Sequence, residues 1–357
     1  MAKSVVCHIN VARGYRGGER QTELLIRELA KRGISQALIC RRSEPLSRRL
    51  RDIDLEIRQV SGHFPGVAFV CGRAEILHVH EGRSVYAAWL RHCFAGTPYV
   101  ITRRVNNPIR EHRWAHKTYR AAAKVACVAP QVAEIVRAWD PAVDVAVVHS
   151  GSSGLEPNSE TVRAIRAQWP DKFLIGHVGA LDNAQKGQEY LLEVARICEH
   201  QHPELHFLFV GGGDDERVLR ELAGDLGNVT FTGFVDNVGD YLGAFDLFVL
   251  PSNREGIGSI LFDAMEQRLA IVASRVGGVP DIVRHNENGL LIDSASPEQL
   301  LEAIIRLYGD APMRKRLGEA GMRIAADFTA SAMCEKYIAI YSETLGRALS
   351  SAGSSSR

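Results

Sequence analysis

The stretch LFVLPSNREGIGSILFDAMEQRLAIVASRVGGVPDIV, residues 247–283, decides how the rest of the chain is read. A short apolar run at 247–250 stops at Pro251 and has the length of a buried parallel strand. A loop with Glu255 and the glycines 256 and 258 follows, then an apolar helix read as starting near Gly258, then a second strand at 270–274. Strand, glycine loop, helix and strand make one βαβ unit. Glu255 and Asp263 stand eight apart, the first in the loop and the second placed two turns into the helix. The start of such a helix offers unpaired N–H groups suited to phosphate. Two carboxylates and an anion site therefore share one loop–helix junction.

The same alternation runs outward in both directions. Strands are expected near 4–9, 36–40, 76–79, 99–102, 125–128 and 145–149, and again near 173–178, 206–210, 229–231, 247–250, 270–274 and 289–292. Amphipathic helices lie between them; Leu191, Val194, Ala195 and Cys198 recur at i, i+3, i+4 and i+7. The Gly-, Ser- and Pro-rich SGSSGLEPNSE (150–160) separates two α/β series. This predicts one Rossmann-like domain over 1–155 and a second over 156–330. A last apolar helix at 331–349 is expected to cross back to the first domain, and SSAGSSSR (350–357) reads as a flexible tail.

The composition fits this plan. The 357 residues are 46% hydrophobic and 24% charged, enough for two real cores and against disorder. Seven scattered cysteines with no Cys-x-x-Cys pair argue against zinc ribbons and thioredoxin chemistry, and for reduced thiols. No apolar run approaches ~18 residues, and His8, Asn10 and Arg13 interrupt the first stretch, against a signal peptide. A cytoplasmic protein is expected. The net charge of +1 hides a split: residues 1–150 carry 24 Lys and Arg against 13 Asp and Glu, a net +11, and the remainder carries −10. The basic half should prefer an anionic partner. Nucleic acid is not expected, because aromatic residues are not interleaved with that charge and no DNA- or RNA-binding motif is present.

Further motifs mark the two halves. Gly17 and Gly18 sit at a strand-to-helix turn, where a ligand can approach the backbone. Gly211-Gly212-Gly213 follows the FLFV strand, but Glu216 stands where a dinucleotide fingerprint needs its third glycine, and three acids would repel a pyrophosphate. Hydride transfer with NAD is thereby disfavoured, and close approach to a base or ribose is left open. His78 and His80 alternate along one strand, with His80 at the end that faces a ligand. Asp52-Ile53-Asp54 reads as surface decoration.

Taken together, GG-E at 17–19, VGALDNAQKG (178–187), FVGGG (209–213), TGFV (232–235), LFVLPSNREGIG, VGGVPDIV and NGLLI resemble the family-4 retaining glycosyltransferases, over nearly the whole chain. The resemblance implies the GT-B fold, two facing Rossmann-like domains with parallel sheets and an interdomain cleft. It implies transfer of a hexose, with retention of configuration, from a nucleotide-diphosphate sugar such as a UDP-hexose, with no cofactor and no metal. Glu255 would contact donor-sugar hydroxyls, and Lys186 would neutralise the leaving diphosphate. The backbone of Gly256, Ile257, Gly258 and Ser259 would hold the pyrophosphate, and Asp263 the ribose. Gly17 and Gly18 would lie against donor phosphate, and Gly212, Phe234 and Val235 beside the base.

Three positions depart from the family pattern. Asp263 replaces the usual Glu, Ala180 replaces an Arg, and Arg103-Arg104 stand where a His is common. Arginine is no base, but it neutralises leaving-group charge; either one of Arg103 and Arg104 takes over from position 180, or the two form an exposed acceptor-binding pair. The acceptor is expected to be an anionic glycolipid or saccharide, met by His80, Arg83 and Arg110, at the inner face of a membrane. Within the family this is similar to enzymes that build lipopolysaccharide cores. The rival readings are a nucleotide-sugar-binding protein without transferase activity and a GT-B sugar-nucleotide epimerase.

Overall fold

The computed structural model describes residues 5–61, 68, 70–109 and 111–349. Arg110 and the 350–357 segment, both named above, lie outside the described residues. The chain divides into two compact units, Met1–Gly151 with Thr329–Arg357, and Ser152–Phe328.

The first unit holds a seven-stranded sheet. Its strands are β1 (Val6–Asn10), β2 (Gln36–Arg41), β3 (Glu56–Val60), β4 (Ile76–Val79), β5 (Tyr99–Arg103), β6 (Lys124–Cys127) and β7 (Val145–Val147), in the order β3-β2-β1-β4-β5-β6-β7. All neighbours are parallel. Strand order reverses between β1 and β4, and ligands of open α/β sheets sit beyond the carboxyl ends at such a point. β3 was not among the expected strands. Its sequence EIRQV is half charged and half exposed because it is an edge with β2 as its one partner, so it lacks the apolar run that marks a central strand.

The helix Ala330–Leu345 belongs to this unit. Met333, Cys334, Tyr337 and Tyr341 pack with Leu24, Leu25 and Leu29 of the helix Gly17–Lys31 and with Val6 and Val100 of the sheet. Arg32–Glu335 at 2.8 Å and Lys124–Glu343 at 3.1 Å tie its rim.

The second unit holds β8 (Phe173–Val178), β9 (Leu205–Val210), β10 (Val229–Gly233), β11 (Leu247–Leu250), β12 (Ile271–Ser274) and β13 (Leu290–Ile292), parallel in the order β10-β9-β8-β11-β12-β13. Every residue of β9 is buried, as a strand covered by helices on both faces requires. Leu191, Val194, Ala195 and Cys198 of the helix Gln188–Gln201 pack into that core. Here the order reverses between β8 and β11.

Candidate active site

In the second unit, the loops after β8 and β11 meet at the reversal point. Asp182 caps the one-turn helix Asn183–Lys186, and Gly187 ends it in a left-handed conformation, φ 61°. That turn aims Lys186 at the neighbouring loop. The N–H groups of Asn253 and Arg254 donate to Gln185 O at 2.8 and 3.1 Å, so the backbone holds the two loops together. Lys186 Nζ forms a short ion pair with Glu255 Oε1, and Ser252 Oγ donates to the same oxygen at 2.8 Å. Glu255 is buried. A buried carboxylate needs such partners, because an unpaired one costs several kcal/mol.

Gly258 holds φ 67°, a left-handed conformation in which a side chain would be strained. Its turn leads into the helix Ile260–Glu266. Among the described residues, the N–H groups of Ile257, Gly258 and Ser259 meet no acceptor, which leaves three adjacent donors beside the Lys186–Glu255 pair. Asp263 was placed two turns into this helix; it lies in the first turn, because the helix starts at Ile260 rather than near Gly258. Its buried carboxylate accepts a 2.6 Å bond from Ser153 N.

Gly212 lies beside the backbone of Phe234: a Cβ added there would sit 3.8 Å from Phe234 N. The Phe234 ring is 66% exposed, unusual for a large apolar side chain next to a glycine turn. The neighbouring acids are occupied. Asp215 accepts from Asn183 N at 2.8 Å, and Glu216 pairs with Arg220 at 2.9 Å. Gly211 and Gly213 are glycines for lack of space, since added Cβ atoms would lie 2.1 and 2.3 Å from the carbonyls of Gly179 and Leu181. His177, which feels the Lys186 charge, is buried, and its pKa is lowered to about 4 chiefly by desolvation, so it stays neutral.

In the first unit, Arg104 lies against Gly18, whose added Cβ would meet Arg104 Cδ at 3.6 Å. Neither Gly17 nor Gly18 has a left-handed backbone, so the helix does not need glycine at these positions for its own conformation. The Arg104 guanidinium is partly buried and its Nε has no partner among the described residues. Arg103 turns away: its Nη2 donates to Asn107 O, and its side chain is buried.

Arg104 is held by a chain of neutral groups whose direction can be read from one end. Gln36 Nε2 donates to Ile26 O at 3.0 Å, so Gln36 Oε1 accepts from His8 Nε2, also at 3.0 Å. His8 Nδ1 must then accept from His80 Nε2 at 2.9 Å, which leaves His80 Nδ1 to accept from Arg104 Nη2 at 3.3 Å. Burial lowers the His8 pKa to about 4 and holds those of His78 and His80 well below the usual imidazole value. All three rings are neutral around neutral pH.

His80 was expected to meet an acceptor; it is buried with both ring nitrogens engaged, because the sheet closes over it. Arg83 follows β4 in a short turn capped by Glu81 and is exposed. His8, His78 and His80 have ring nitrogens close enough to share a metal ion. Each of those nitrogens is already hydrogen-bonded, however, with His78 bonded by Tyr341 and Thr102 at 2.6 Å each, and a cationic Arg104 stands beside them. The donor set therefore fits a hydrogen-bond network better than a metal.

Sequence reasoning missed His8, Gln36, Tyr337 and Tyr341. The register carried a signal, since His8 pairs directly with His78 across the two central strands. The tyrosines come from a helix distant in sequence.

Two parallel sheets whose polar groups gather beyond the strands' carboxyl ends define the GT-B class. HepE of Anabaena, solved with UDP and glucose, matches with a TM-score of 0.83 over 97% of this chain and 100% of its own, at 18% identity. Sucrose-phosphate synthase of Thermosynechococcus elongatus gives 0.79 over 96% and 99%, at 21% identity. At these identities the likeness establishes the fold. Residues 158–323, within the second unit, match the family model of glycosyl transferases group 1. The lipopolysaccharide core biosynthesis glycosyltransferase LpsE of Rhizobium meliloti is 26% identical over 90% of this chain and 94% of its own length. The D-inositol 3-phosphate glycosyltransferase of Corynebacterium diphtheriae is 25% identical over 89% and 88%.

Proposed function

We propose that the protein moves a hexose, with retention of anomeric configuration, from a UDP-hexose or related nucleotide sugar to a hydroxyl of an anionic glycolipid or lipopolysaccharide-core sugar. The observation that carries this reading is the pair of half-buried Lys186 and buried Glu255, followed in the same loop by three unpaired N–H groups at 257–259. Such a loop can exchange partners: the ammonium moves to the diphosphate, and the freed carboxylate takes sugar hydroxyls. The N–H groups at 257–259 and Lys186 then place fixed positive charge where negative charge develops on the leaving diphosphate. Phe234 and Val235 are assigned to the base, and Asp263 to the ribose. In the first unit, Arg104 rather than Arg103 is assigned to donor phosphate, because Gly18 leaves room beside it whereas Arg103 donates to Asn107 O. No group here is placed as a strong general base, so the leaving phosphate oxygen is assigned the acceptor's proton.

The reading does not call on a metal. Transfer should survive EDTA, and loss restored by Mg²⁺ or Mn²⁺ would overturn that part. Incubation with a panel of UDP- and GDP-sugars, with the anomeric configuration of the product read by NMR, tests donor and stereochemistry together. Relatives named for lipopolysaccharide core synthesis support the acceptor class. Membrane contact is part of this proposal: Arg48 and Arg51 point outward, while Arg49 is held by Glu23 at 3.0 Å. Reversing Arg48 and Arg51 should weaken binding to anionic vesicles at low salt, and unchanged binding would remove those residues from the contact.

A further inference from the structure

Among the described residues of the first unit, a cavity of about 410 Å³ is lined by Arg83, Tyr86, Trp89, His112 and Trp114. Its volume lies within the ~300–1,000 Å³ usual for small-molecule sites. Arg83 follows β4 and His112 follows β5, so the cavity sits beyond the carboxyl ends of two strands, where α/β sheets bind ligands. The expectation that aromatics are not interleaved with the basic charge fails here, because Arg113, Trp114 and Lys117 share one helix face.

The wall is almost wholly apolar and the rim is cationic. Trp89 and Trp114 meet edge to face, with centroids 5.6 Å apart at 62°. The Arg113 and Lys117 cations stand 5.1 and 5.0 Å from the Trp114 ring centre, within cation–π range, which fixes the ring. His112 Nδ1 accepts from Trp114 N at 3.2 Å, so the neutral ring carries its proton on Nε2 as a donor. None of these aromatic groups has a part in the donor chemistry above.

We propose that this cavity binds a sugar ring of the acceptor that carries an acidic substituent. The C–H face of a pyranose suits flat aromatic walls, its hydroxyls suit the His112 donor, and a phosphate or carboxylate suits the guanidinium of Arg83 or Arg113. A purely hydrocarbon ligand would leave the cationic rim unexplained. The proposal rests on the transferase reading and names the acceptor subsite within it.

Trp89 and Trp114 are two of the chain's four tryptophans, so intrinsic fluorescence reports on the cavity directly. Glucose 6-phosphate and glucuronic acid, titrated into the full chain, should each change the emission saturably. Neutral glucose should bind at least fivefold more weakly. Trp114→Ala should abolish the response, and the exposed Arg113→Glu, which leaves the core untouched, should weaken it about tenfold. UDP binding is measured on the same samples by calorimetry. If UDP binds but neither acidic sugar changes the emission, the cavity proposal is overturned and the transferase reading stands. If no nucleotide sugar binds or turns over, the transferase reading itself falls, and with it the acceptor role of this cavity. A response to phosphatidylglycerol vesicles alone would assign the cavity to a membrane surface and overturn the sugar proposal.

Discussion

In the second unit Lys186 and Glu255 meet across two adjacent loops, each the other's charge partner, and the unpaired N–H groups of residues 257–259 follow Glu255 in its loop. In the first unit Arg104 has no carboxylate in hydrogen-bond contact among the groups described; it is reached through two neutral imidazoles and an amide that ends on a helix carbonyl. The difference is one of how charge is stored. The second unit keeps opposite charges in contact, whereas the first holds one cation beside rings of fixed tautomer. Loops held by charge can be read from a motif, because charged residues at a glycine turn are conspicuous. A tautomer chain depends on which residues the sheet brings side by side.

The comparison is broken most severely at Glu255. Glu255→Ala should lower kcat for transfer at least a hundredfold, about 2.7 kcal/mol in barrier, while the Kd for UDP stays within threefold. A variant that keeps more than a tenth of the activity removes this carboxylate from the sugar.

On the other side, Gln36→Glu should cost about thirtyfold in kcat. A carboxylate at that place favours a charged His8, which donates from Nδ1 and forces the proton of His80 onto its own Nδ1, donor against donor with Arg104. Imidazole ¹⁵N shifts read the tautomer directly. Wild-type His80 protonated on Nδ1 would show that the chain runs the other way.

Asp263→Ala should weaken UDP binding about tenfold and also destabilise the second unit by about 2 kcal/mol, since the 2.6 Å bond from Ser153 N to a buried carboxylate is lost. Asp263→Glu sharpens the point. If the extra methylene keeps the nucleotide affinity but lowers Tm, the two roles of this side chain separate; if UDP binding and Tm are both unchanged, neither role needs the short side chain.

The smallest effect is on acid stability. His8, His78 and His80 have lowered folded pKa values, and so do His177 and His206, at about 4 each, in the second unit. The unfolded chain binds protons near 6.5 that these buried rings refuse. Their contribution is therefore whole above that value and is lost as pH falls toward 4, by about 1 kcal/mol per ring at pH 5.5. His149 of the first unit is lowered by burial as well, so with four such rings against two the first unit should open first on acidification. His116, also in the first unit, is raised by Asp140 and opposes the trend there. Hydrogen exchange at pH 5.5 showing the second unit opening first would contradict the count.

Much of the α/β plan was legible because twelve of the thirteen strands are apolar runs between turn residues. β3 was not, since an edge strand can afford Glu56 and Arg58. Lys186 and Glu255 were legible as separate residues, and the structure adds that they touch. The start of the Asp263 helix was misread by half a turn, because Gly258 is the turn before the helix and not its first residue. The aromatic cavity of the first unit was the least legible. Trp89 and Trp114 are 25 residues apart and become neighbours only once β4 and β5 pair.

The helix Ala330–Leu345 has a consequence for how the protein is made. Its Tyr341 and Tyr337 hydroxyls bond His78 Nδ1 and Thr102 Oγ1 in the middle of the first sheet, at 2.6 and 2.7 Å. A ribosome adding about 5–20 residues each second delivers those two hydroxyls after the whole of the second unit. The usual order, in which the amino-terminal domain folds first, is thus inverted for completion: the second unit can close on its own emerging sequence while the first waits with an imidazole and a hydroxyl unmatched. A nascent chain stalled before residue 330 should therefore present a protease-resistant second unit and a protease-sensitive first one.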